Sequence, residues 1–182
     1  MTRPRIVTVF GSGLSQRSNS NYVDARVLGR ELASRGFTVC TGGYGGVMEA
    51  VSRGAKEAGG KTIGVTADVF AGHANRWIDD EVRKKNWRDR LFELVERGDA
   101  YVVCRGGTGT LVEWAVVWEM VNKGLMKSKP LVALGGFWKP FVRQMRAAEA
   151  GPHSETRRSR INLIHFAPSP RSAAEYLARK VR

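Results

Sequence analysis

Three glycine-rich runs carry the first chemical signal: Phe10-Gly11-Ser12-Gly13, Gly42-Gly43-Tyr44-Gly45-Gly46 and Gly106-Gly107-Thr108-Gly109-Thr110. Each falls where a short apolar run ends and a helical pattern begins. Glycine lets the backbone approach an anion closely and take positive φ, and the helix that follows offers free N–H donors and a positive dipole end. A phosphate is the natural guest. The candidate contacts are Gly11 and Ser12 in the first run, Gly42, Gly43, Gly45 and Gly46 in the second, and Gly106, Gly107, Thr108, Gly109 and Thr110 in the third. Any one glycine pair could be tight-turn chemistry alone. Three on one sheet edge would instead build a floor of N–H groups. The runs match neither the dinucleotide Gly-x-Gly-x-x-Gly in its usual first turn nor a Walker loop, since no Gly-Lys-Ser/Thr occurs.

Glu113 follows the last run by one helical turn, within reach of a ligand whose phosphate sits on Gly107 to Thr110. Thr110-x-x-Glu113 is also the spacing of a capping box, in which the glutamate reaches back to the N-cap N–H, and spacing alone supports both readings equally. His73, His153 and His165 fall in no ligand spacing, so no metal is expected, and His165 reads as a core or edge histidine. Cys40 and Cys104 read as small core residues. No lysine lies in the glycine runs, which argues against a pyridoxal enzyme. No cofactor is expected.

The elements that must position these residues alternate along the chain. Apolar strands are predicted over Arg5–Phe10, Thr38–Cys40, Thr62–Thr66, Ala100–Cys104, Pro130–Leu134 and Asn162–Phe166. Helical patterns lie between them, over Asn21–Arg35, Gly46–Ala58, Asn86–Arg97, Thr110–Gly124 and Trp138–Ala148, with a last one over Ser172–Lys180. That alternation predicts an α/β, doubly wound, mostly parallel, Rossmann-like sheet in a single domain over residues 1–182. Two long loops interrupt it, Ala67–Lys85 and the Arg- and Ser-rich Glu149–Arg160, and loops of this length are functional covers or mobile segments. The helix after Gly109 is apolar nearly all round, so it should be covered on every side, most simply by the same helix of a second subunit in a twofold homodimer. Cover by Ala67–Lys85 or by the last helix is the alternative.

Composition bounds the rest. With 42% hydrophobic and 26% charged residues in 182, the chain has an ordinary globular balance. Two cysteines outside any Cys-x-x-Cys spacing argue against a disulfide framework, and no apolar run approaches the roughly 18 residues of a membrane helix. A cytoplasmic protein without membrane attachment is expected. The net charge of +13 raises anionic ligands and nucleic acid as partners. No helix carries a continuous basic stripe, and no aromatic platform or recognition motif accompanies the charge, so specific nucleic-acid binding is not expected.

The run Gly106-Gly107-Thr108-Gly109-Thr110-Leu111-Val112-Glu113 resembles the Gly-Gly-x-Gly-Thr-x-x-Glu signature of the LOG family, the cytokinin-activating nucleoside 5′-monophosphate phosphoribohydrolases. Residues Gly42 to Gly60 are similar to that family's second glycine loop and helix, and equally to the related molybdenum-cofactor carrier proteins, which bind without hydrolysing. Counting back from Asp99-Ala100-Tyr101, Arg90 falls on the arginine of the family's Met-x-Glu-Arg-Lys motif, which reads Trp87-Arg88-Asp89-Arg90-Leu91 here. Arg105 stands where the family signature opens with proline. The resemblance implies Glu113 and Arg90 as the catalytic pair, with Arg90 on the phosphate or on Glu113, although on a helical wheel Arg90 could equally be a solvated flank residue. It further implies hydrolysis of a purine nucleoside 5′-monophosphate to free base and ribose 5-phosphate in a homodimer. A non-hydrolytic nucleotide or molybdenum-cofactor carrier is the alternative.

Overall fold

The structure is a computed structural model that describes residues 4–149 and 163–181. Seven strands, β1 (Ile6–Phe10), β2 (Thr38–Thr41), β3 (Thr62–Ala67), β4 (Asp80–Lys84), β5 (Ala100–Val103), β6 (Leu131–Leu134) and β7 (Ile164–Ala167), form one sheet in the order β4-β3-β2-β1-β5-β6-β7. Every neighbouring pair is parallel. The helices are α1 (Ser20–Ala33), α2 (Val47–Glu57), α3 (Trp87–Arg97), α4 (Thr108–Asn122), α5 (Lys139–Glu149) and α6 (Pro170–Lys180). The doubly wound expectation holds, and the sheet is parallel throughout.

Strands buried on both faces explain the near-continuous β-branched runs that announced them. Along β1, Val7 and Val9 pack with α1, α2 and α6, whereas Ile6 and Phe10 pack with α3, α4 and α5. Cys40 and Cys104 sit on opposite sides of the sheet, fully buried, and burial pushes both thiols up to about 12. They are core residues, as expected. His165 lies on the edge strand β7, with its ring stacked on Tyr176 at 3.8 Å. Three of the basic residues are paired on the α1 and α2 surface, where Arg26, Arg30 and Arg53 converge on Glu57 and hold its carboxyl down at about 2, Arg26 most strongly.

Three expectations need correction. The segment Ala67–Lys85 is not one loop, because Asp80–Lys84 pairs with β3 as an edge strand. Its sequence Asp-Glu-Val-Arg-Lys hides the strand, since an edge lacks an apolar face on each side and tolerates charge. Second, α4 begins at Thr108 behind the N-cap Gly107, so Thr110 lies inside the first turn. Glycine and threonine are weak helix formers, so propensity placed the start too late. Third, α4 is not apolar all round for want of a covering subunit alone. Trp114, Val117, Trp118 and Val121 are buried within the chain, and Trp114 stacks on Trp118 and meets Trp138 and Phe141. Leu111, Val112, Ala115, Val116 and Met120 remain partly exposed. The last helix does not cover α4, because α6 packs on the other face of the sheet. The loop reading of Glu149–Arg160, the basic residues Arg157, Arg158 and Arg160, and His153 lie outside the described residues apart from Glu149, which ends α5.

Candidate active site

Strand order reverses between β1 and β5, and the loops leaving their carboxyl ends diverge there to open a crevice. A cleft of about 320 Å³ occupies that point. The first glycine turn supplies Gly11 and Ser12 to its wall, and the third supplies Gly107, Thr108, Gly109 and Thr110. No side chain caps the amino end of α4, which leaves the first-turn N–H groups and the positive dipole end to a ligand.

Gly42, Gly43, Gly45, Gly46 and Gly106 do not line this cleft. The second turn serves its architecture. A Cβ on Gly42 would sit 1.8 Å from Arg90 Nη2, so the missing side chain is what admits the guanidinium. Gly46 has φ of 65°, where an added Cβ would lie 2.3 Å from the Ser12 carbonyl oxygen. The glycines therefore close-pack the turn while Tyr44, carried between them, reaches the cleft.

Arg90 is 6% exposed, not a solvated flank residue. Its Nε donates to the Val65 carbonyl at 2.8 Å, its Nη2 to the Gly42 carbonyl at 3.2 Å and its Nη1 to Glu113 Oε1 at 3.3 Å. The guanidinium also lies over the rings of Tyr44 (5.6 Å) and Phe70 (5.4 Å). So held, it anchors β2, β3 and α4 about one charge, and of the two roles implied for it the structure displays contact with Glu113.

Glu113 lies in the second turn of α4, four residues after Gly109 and so on the same helix face. Space in front of Gly109 is open, which leaves the carboxyl facing the cleft. With Gly107 as N-cap, a Thr110 capping box does not form, and the carboxyl's hydrogen bond comes from Arg90. Burial raises the Glu113 pKa above the ordinary glutamate value, and Arg90 opposes the shift without reversing it. The 3.3 Å separation explains the balance: charge-assisted hydrogen bonds are typically about 2.7–2.9 Å, and this guanidinium is shared with two carbonyls.

Residues not singled out from sequence complete the wall: Gly13, Leu14, Tyr44, Met48 and Phe70. Phe70 rides on the Asp68–Asp79 loop, and its ring meets Tyr44 edge-on at 5.9 Å. Asn75 ties that loop to the second glycine turn, its Nδ2 donating to the carbonyls of Gly43 and Tyr44 at 3.0 and 2.9 Å. The expectation of a functional cover was the available signal, while which aromatic it delivers depends on the β4 pairing. Among the described residues no group of His, Cys, Asp and Glu could hold a metal ion, and no helix is long and apolar enough to cross a membrane.

Known proteins resemble the chain along most of its length. The chain is 29% identical over 95% of its length to cytokinin riboside 5′-monophosphate phosphoribohydrolase LOG3 of Arabidopsis thaliana, covering 81% of that protein. It is 33% identical over 76% of its length to the enzyme LOG of Oryza sativa, covering 58% of it. Among solved structures, the molybdenum cofactor binding protein of Rippkaea orientalis superposes with a TM-score of 0.79 at 27% identity, over 100% of both chains. Residues 4–156 match the SLOG cluster4 family, a span that takes in both cleft-lining glycine turns, Arg90 and Glu113; the chain belongs to that family.

Proposed function

We propose that the chain hydrolyses the N-glycosidic bond of a purine nucleoside 5′-monophosphate, releasing free base and ribose 5-phosphate. The observation that carries this reading is a half-buried carboxyl, Glu113, held by Arg90 on the wall of a cleft that the uncapped end of α4 also lines. The 5′-phosphate would take the N–H groups of Gly107 to Thr110 and the Gly11–Ser12 turn. Its ribose then lies toward Glu113, and the base toward Tyr44, Met48 and Phe70. The base departs with the electron pair of the glycosidic bond and takes up a proton from solvent, leaving positive charge on the anomeric carbon, which a carboxylate stabilises while it takes a proton from the water that attacks that carbon. Arg90 acts as a positioning residue for Glu113. LOG3 and LOG bear names of this activity. Incubation with a panel of nucleoside monophosphates, followed by chromatography of released base, tests the reading.

The second reading, a carrier that binds a nucleotide or the molybdenum cofactor without hydrolysis, draws support from the end-to-end superposition on the Rippkaea protein. Tight binding of monophosphates with no base release would favour it.

The partly exposed stripe on α4 supports a homodimer through that helix. Because Trp118 belongs to the core, Val116 is the position that separates assembly from folding. Val116→Glu should yield folded monomers by sedimentation velocity, since a buried unpaired charge opposes association strongly. A Val116→Glu protein that stays dimeric would place the interface elsewhere.

A further inference from the structure

Tyr44, Met48 and Phe70 make the part of the cleft wall to which the nucleotide reading assigns the base. Their polar groups are already committed to the protein. Tyr44 Oη donates to the Ala67 carbonyl at 3.2 Å and accepts from the Ala67 N–H at 3.0 Å, which leaves the ring rather than the hydroxyl for a ligand. The backbone around the rings is engaged as well. The Gly43 carbonyl accepts from the Asn75 N–H at 2.8 Å and from Asn75 Nδ2 at 3.0 Å, and the Ala67 carbonyl takes the Phe70 N–H at 3.1 Å as its second donor. Each guanidinium nitrogen of Arg90 donates within the chain, and the group lies over the Tyr44 and Phe70 rings, which restricts them before a ligand arrives. The other polar side chains of the described wall, Ser12, Thr108, Thr110 and Glu113, belong to the turns and helix that the same reading gives to phosphate and ribose.

Purine bases differ in the groups on their edge, an amino group in adenine, an oxo group in hypoxanthine and both in guanine, while their faces are nearly alike. Choosing among them takes protein donors or acceptors aimed at that edge. A site that hydrogen-bonds such a group rejects the analogue lacking it by about 10⁴- to 10⁵-fold, whereas stacking is tolerant because every base has a π face. We infer that this subsite holds a purine by its face and area without reading its edge, so that the adenine, hypoxanthine and guanine nucleoside 5′-monophosphates form one ligand class, with Tyr44 and Phe70 setting base affinity. This inference rests on the nucleotide reading of the main cleft.

Calorimetric titration of the Glu113→Gln protein, in which base release is slowed, tests it with AMP, IMP, GMP and, as a probe without a base, ribose 5-phosphate. The nucleotides should bind within about tenfold of one another, and each more tightly than ribose 5-phosphate. Phe70→Ala added to that protein should weaken every nucleotide by about tenfold or more, in equal measure, while ribose 5-phosphate stays within about twofold and so reports that the double variant is folded. A spread among the bases wider than about tenfold, nucleotide affinities untouched by Phe70→Ala, or ribose 5-phosphate weakened along with them would overturn the inference alone. Failure of all the nucleotides to bind both Glu113→Gln and the parent would overturn it together with the nucleotide reading.

Discussion

Replacing Glu113 by Gln should slow base release at least about a hundredfold while monophosphate binding persists. Removal of a positioned acid or base typically costs about 10²- to 10⁴-fold, or roughly 3 to 5 kcal/mol of barrier. Glutamine keeps the size of the side chain and an oxygen that can accept from Arg90 Nη1. Stability should therefore change by no more than about 1–2 kcal/mol, the range of one hydrogen bond rearranged. Linkage fixes a second signature. Since folding raises the Glu113 pKa, the carboxyl favours the native state fully below its unfolded value, and this contribution is lost as pH rises through the raised native value. Activity that needs the carboxylate runs the opposite way and falls as pH drops through that raised value, so the acid limb of the rate profile should lie above the ordinary glutamate range. Single-turnover assays across pH, with thermal melts of both proteins, check the pair of effects. Turnover unchanged in Glu113→Gln would remove the residue from the chemistry.

Arg90→Met should produce the largest loss of stability of any single change at the site, about 3–5 kcal/mol by urea denaturation. Breaking a buried ion pair from one side leaves its partner uncompensated. The Val65 and Gly42 carbonyls also lose the donors that now satisfy them. Methionine retains most of the volume, so a cavity does not confound the result. Adding Glu113→Gln removes the stranded carboxyl, and the double variant should lose less than the sum of the two single changes. Arg90→Lys should not rescue, because a single ammonium cannot match a planar fork directed at three acceptors on β3, the second glycine turn and α4. Strict additivity would show that Arg90 and Glu113 do not act on one another.

The six apolar strands and six helices were legible because each buries a face with a regular period, and that period is a local property of the chain. The glycine turn at Gly107–Thr110, which lines the cleft, was legible too, since glycine at a strand-to-helix junction has a local physical meaning. Edge strand β4 was not, because pairing with β3 replaces the apolar pattern that a two-sided burial would have written into it. The dual meaning of Thr110-x-x-Glu113 could not be resolved by spacing, for it turned on where α4 starts, and the backbone at Gly107 decides that. Sequence alone also marked the second glycine run without telling its use: Arg90, which crowds Gly42, comes from α3, and Ser12 and Gly13, which crowd Gly46, come from the turn after β1, both far along the chain.

Sequence by itself determined the alternation, the parallel class and the two groups, Glu113 and Arg90, that the family resemblance marked for chemistry. Only the tertiary structure decided that these two meet, that Arg90 is spent on carbonyls and Glu113, that Trp118 belongs to the core, and that Phe70 lines the cleft. The physical reason is range. Periodicity, turn preference and charge act over a few residues, whereas the burial that raises the Glu113 pKa and the three acceptors that fix Arg90 arise only once strands distant in sequence lie side by side.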